Sequence, residues 1–107
     1  MWEDTLVLYE QAVAKCPRFE RKGKTMPYTS ANGHMFSLLN KAGEIGIRFS
    51  KEFQQKYIED LATTTFISYG ATMRGYVLMP ERICSDIDLF AKYLNEGYDY
   101  VMSLDPK

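Results

Sequence analysis

The chain holds one histidine, two cysteines and thirteen basic side chains, and any chemistry would have to be built mainly from these. His34 is the only side chain whose ordinary titration crosses neutral pH, so it would shuttle protons if an acid or a nucleophile stood beside it. No serine or cysteine lies near it in a recognisable nucleophile setting, and catalysis needs such a positioned partner and a cleft. His34 therefore reads as a strand-start residue satisfied by backbone or water, with a part in ligand binding as the alternative. Cys16 and Cys84 stand far apart and form no Cys-x-x-Cys pair, so zinc and dithiol motifs are absent. They read as two separate core thiols. Asp86 and Asp88 fall on different helical faces, and Asp88 is expected to pair with Lys92 at i,i+4. The expectation is a domain with no catalytic set, no metal site and no cofactor.

The cationic residues carry more. Lys15, Arg18, Arg21, Lys22 and Lys24 gather within ten residues, opposed only by Glu20 and adjoining Phe19. A basic run beside an aromatic ring suits phosphate contact, and it equally suits a solvated loop. Arg48 and Arg74 each sit in an expected strand. On one face with Tyr28 or Tyr76 they would make an anion-binding surface; otherwise they snorkel to solvent. The acidic region 81–107 makes the molecule bipolar, which would steer a protein partner or a second copy. Tyr93, Tyr98 and Tyr100 read as a stripe packed on a sheet, with a recognition surface as the alternative.

These residues must be positioned by one domain. A chain of 107 residues with 46% hydrophobic side chains and eight tyrosines buries a real core without staples, and residues 1–107 read as a single domain. The formal net charge of -1 is the wrong balance for a strongly basic nucleic-acid binder. No apolar run approaches membrane-span length and no basic-then-apolar leader opens the chain, so a cytoplasmic protein is expected.

Residues 3–15 predict a helix, with Leu6, Tyr9 and Val13 as its apolar stripe, Asp4 as its cap and Pro17 as its stop. Irregular chain follows, with a short strand near Thr25 and Met26 and a turn at Asn32-Gly33. "HMFSLLN" and "IGIRF" predict a hairpin around "KAGE", with Ile45, Ile47 and Phe49 on one face and Gly46 and Arg48 on the other. Ser50 is an N-cap for "KEFQQKYIEDLA", and the threonine run 63–65 stops that helix. "TTFISY" and "TMRGYVLM" predict a second strand pair turning at Gly70. Ser85 and Asp88 form a capping-box-like pair before a last helix, and Gly97 weakens that helix beyond it. The order predicts an α+β fold: a mainly antiparallel sheet of about four strands packed by about three helices. No glycine-rich fingerprint sits between a strand and a helix, so a Rossmann fold is excluded.

Over residues 15–105 the pattern resembles the N-terminal domain of the TfoX competence-regulator family. Lys24 and Met26 match its Lys-Met segment. Gly33, Met35, Phe36, Ser37 and Leu38 match its Gly-x-Met-Phe-Ala-Leu strand, with serine for alanine. Met73, Tyr76 and Pro80 match a later Met-x-Tyr-x-x-x-Pro segment loosely, with Gly75 between. The chain departs from the family at Pro27 to Ala31, where a glycine-rich loop is expected. The resemblance implies a bacterial regulatory or macromolecular-interaction domain with a link to competence regulation. The alternative is a small-molecule or anion-binding domain, with an aromatic-lined pocket between the sheet and loop 24–34 into which Arg48 or Arg74 points. The expected partners are a protein or a second copy of the chain, with nucleic acid and a small ligand as further candidates and no membrane.

Overall fold

The computed structural model describes residues 2–107. Helix α1 spans Trp2–Ala14; strands β1 (Tyr28–Ala31), β2 (His34–Leu39) and β3 (Ile45–Arg48) follow. Then come α2 (Lys51–Asp60), β4 (Thr65–Ser68), β5 (Ala71–Met79), the single turn α3 (Glu81–Cys84) and α4 (Ile87–Met102). The strands form one antiparallel sheet in the order β1-β2-β3-β5-β4. The α+β class is as expected, with one strand and one short helix more than the sequence pattern indicated. Thr25 and Met26 form a bend, and the extra strand lies just beyond them at β1.

One sheet face is covered by helices. Phe36, Leu39, Ile45, Ile47, Val77 and Met79 meet Tyr9 and Val13 of α1 and Phe90, Leu94 and Val101 of α4. A bulge shapes this face. Thr29 pairs with Ser37 and Ser30 with Met35, which leaves Phe36 as the extra residue of β2. Phe36 and Ser37 consequently both turn to the helices: the Phe36 ring meets Phe19 and Tyr98, and Ser37 Oγ meets the Tyr9 hydroxyl. Strict alternation, which the expected strand assumed, fails here.

The other face carries a smaller cluster of Leu38, Phe66 and Tyr76, flanked by Met26, Tyr28, Met35, Met73 and Leu78. Phe66 comes from the edge strand but lies over β3, where a Cβ on Gly46 would fall on its ring. The reach comes from an irregularity in β5. Thr65 pairs with Val77 and Ile67 with Thr72, so Met73 to Tyr76 stand against Phe66 alone. Gly75 in that stretch has φ +86°, a conformation that favours glycine.

Helix ends differ from expectation in detail. Helix α1 begins at Trp2, so Asp4 lies inside its first turn. Helix α2 keeps Ser50 as N-cap, its side chain accepting from Phe53 N–H. Its stop is a left-handed Ala62 (φ +52°), with Thr63 N–H bonded to Ile58 O, rather than the threonine run itself. The cap of α4 is Asp86, accepting from Leu89 N–H; Ser85 ends α3 instead. Helix α4 continues unbroken through Gly97.

Candidate functional site

The end of β3, the kink of β5 and the start of α2 meet at one corner. Past Arg48 the ladder continues for one bond, Phe49 N–H to Gly75 O at 3.0 Å. Ser50 then caps α2, which places Lys51 in its first turn. Gln54 Nε2 donates to Tyr76 O at 3.1 Å and ties that turn to β5. The result is a cleft of about 390 Å³ lined by Arg48, Phe49, Lys51, Gln54, Arg74, Gly75 and Tyr100. The Arg48 guanidinium lies 5.5 Å from the centre of the Tyr100 ring. Its stem crosses Gly75, where an added Cβ would stand 3.4 Å from Cγ.

Three cations therefore share a cleft whose lining includes no carboxylate. None of the three makes an ion pair among the described residues. The start of α2 adds the partial positive charge of its unpaired amide groups. Arginine forks grip carboxylate or phosphate in two bonds at once, and lysine supplies a point charge. This arrangement can hold an anion. It contains no nucleophile–base pair.

Arg48 and Arg74 are thus brought together as the sequence allowed, but with Tyr100 as their aromatic partner. Tyr28 and Tyr76 belong to the cluster on the open sheet face, where the Tyr76 hydroxyl donates to Met35 O at 2.8 Å. No residue of loop 24–34 lines this cleft, which sits at the β3–α2 corner. Lys51 and Gln54 were missed. The available signal was Ser50 as an N-cap directly after Arg48, since a cap fixes which residues occupy the first turn.

The basic run lies elsewhere and is largely occupied. Lys15 Nζ pairs with Asp88 at 3.0 Å, Arg18 with Asp99 at 2.7 Å and Arg21 with Glu10 at 2.9 Å. Arg18 also donates to Asn95 Oδ1 and covers the Tyr98 ring. Lys22 pairs through its backbone with Tyr28, and its side chain and that of Lys24 are exposed. Asp88 therefore meets Lys15 rather than Lys92, whose ammonium lies over Tyr93. His34 Nε2 is 2.9 Å from the Asp105 carbonyl, so the ring ties the C-terminal segment to the β1–β2 turn. Asn32 does the same through Val101 O and Leu104 O.

Tyr93 packs with Phe49 and Tyr57, and Tyr98 with Phe19 and Phe36. Cys16 and Cys84 are free and buried. Burial pushes the Cys84 thiol up to about 12 and raises that of Cys16, so neither is a ready nucleophile. Among the described residues, no group of His, Cys, Asp and Glu could hold a metal, and no helix is long and apolar enough to cross a membrane. No protein-family model matches the chain, and no curated protein matches it.

Proposed function

We propose that this chain is a small cytoplasmic regulatory domain that acts by binding, and that the group it binds is an anion held between Arg48, Lys51 and Arg74. The observation that carries this reading is the convergence of three cations without an acidic partner, while Lys15, Arg18 and Arg21 are matched by carboxylates of the same chain. Arg48 is half-buried and has no ion-pair partner among the described residues, and the exposed Lys51 and Arg74 share its cleft beside a helix start, which favours an external counter-charge. The resemblance to TfoX N-terminal domains supports the regulatory part, including the link to competence regulation, and implies no chemistry of the domain's own.

The test is a pyrophosphate titration of the whole chain, followed by backbone amide shifts in NMR. Shifts are expected at Arg48 to Gln54 and at Arg74 and Gly75, weakening as salt rises. The double variant Arg48→Glu, Arg74→Glu loses binding at least about tenfold, because each charge-assisted bond to an anion contributes about 1.5–3 kcal/mol. The double variant Arg21→Glu, Lys22→Glu binds as the parent does. Shifts confined to residues 15–24, or none at low salt, would overturn the reading.

A further inference from the structure

A second recess adjoins the cationic cleft. It measures about 320 Å³, is lined by Phe49, Ser50, Phe53, Glu96, Asp99 and Tyr100, and shares Phe49 and Tyr100 with the first. Phe53 is the unusual member. It stacks against Tyr57 with ring centres 5.7 Å apart, yet remains 46% exposed. It stands one helical position past Glu52 and two past Lys51, so the first turn of α2 offers a cation to one recess and a flat apolar ring to the other.

The two recesses have opposite polarity. Glu96 accepts from the Tyr57 hydroxyl and keeps Oε2 buried with no hydrogen-bond partner. Asp99 Oδ1 accepts from Arg18. The unpaired charge of Glu96 behind this recess disfavours a second anionic group there and favours a neutral one. From this pairing we infer that the site takes a nucleoside phosphate, with its phosphate among Arg48, Lys51 and Arg74 and its base against Phe53. The inference rests on the anion-binding reading above and narrows it. Inorganic phosphate or a sugar phosphate fills the first recess only, whereas a base adds stacking on the exposed part of the Phe53 ring.

The experiment is calorimetric titration of the whole chain with pyrophosphate, ribose 5-phosphate and AMP at one fixed salt concentration. AMP is expected to bind about tenfold more tightly than ribose 5-phosphate, the gain usual for one stacked base. Phe53→Ala removes that advantage and leaves ribose 5-phosphate binding unchanged. Phe53→Tyr keeps it, which separates stacking from a fold defect. A single-stranded oligo-deoxyadenylate that binds more tightly than AMP, again only with Phe53 intact, assigns the nucleotide to a strand; no such gain assigns a free nucleotide. Equal affinity for AMP and ribose 5-phosphate, or an AMP preference that survives Phe53→Ala, overturns this inference and leaves the anion cleft standing. Failure of pyrophosphate and ribose 5-phosphate to bind overturns the cleft itself.

Discussion

Tyr9 carries its hydroxyl from α1 to the sheet, 2.5 Å from Ser37 Oγ, and Ser37 in turn meets Thr29 Oγ1. All three residues are fully buried, so each hydroxyl depends on the others for a partner. Burial holds the Tyr9 phenol well above its ordinary value and keeps it neutral. Tyr9→Phe removes one member and leaves the ring in place, while Ser37 and Thr29 still bond each other. The expected loss is about 1–2 kcal/mol of stability, seen as a lower urea midpoint with unchanged slope; an unchanged midpoint would deny the network its role. The helical spacing of Leu6, Tyr9 and Val13 marked Tyr9 as a core residue, but the hydroxyl chain was not legible. It depends on the bulge that turns Ser37 toward the helices, and a bulge leaves no mark in a run such as "HMFSLL". His34 shows the same limit. Its partner is a backbone carbonyl 71 residues away, which residue type alone cannot indicate.

At the scale of elements, Gly97 explains how α4 lies close enough to the sheet to bring Tyr100 to the cleft. A Cβ there would stand 2.9 Å from Ile47 Cγ2, 3.1 Å from Arg48 O and 3.2 Å from the Phe36 ring. Glycine weakens a helix by about 1 kcal/mol relative to alanine, which is why the sequence argued against helix beyond it. The packing outweighs that propensity. Gly97→Ala gains the propensity term but overfills the contact, and overpacking costs about 1–3 kcal/mol. A net loss of stability is expected, measurable as a lower thermal midpoint; a rise in the midpoint would show that α4 can move away from β3 freely. Strands and helices bearing clear apolar periodicity, such as Ile45-Ile47-Phe49 and Leu89-Tyr93-Leu94, were legible because local sequence sets their period. The kink at Gly75 was not, since a lone glycine in a strand does not state how many residues it displaces. That kink lies next to Arg74, which lines the same cleft as Arg48.

Across the whole molecule, the bipolar charge pattern folds onto itself. The basic run after α1 meets Glu10 of α1 and Asp88 and Asp99 of α4. Such exposed pairs contribute little stability, about 0–1 kcal/mol each. Their consequence is positional: the cations conspicuous in the sequence are matched internally, and those left open are scattered in it and gathered only by the fold. The pH dependence of stability is tied instead to the burial of neutral hydroxyls and thiols. Burial raises Cys84 from 9.0 to about 12, and it also raises Cys16, Tyr9 and Tyr76 above the values they have when unfolded. Above about pH 9 the unfolded chain releases protons that the folded chain keeps, so the unfolded state binds fewer protons and unfolding becomes easier as pH rises. The Cys84 contribution is whole below pH 9.0 and is lost as pH climbs toward about 12, with tyrosines joining above their unfolded value of 10.0. Each fully responding group lowers stability by up to about 1.4 kcal/mol per pH unit in its window. Urea midpoints measured from pH 7 to 11 should hold level to about pH 9, then fall, and fall more steeply past pH 10. Cys84→Ala should make the decline shallower from about pH 9 upward by one group's share, leaving the part due to Cys16 and, past about pH 10, the part due to the tyrosines; a midpoint that stays level to pH 11 would contradict the burial that defines this core.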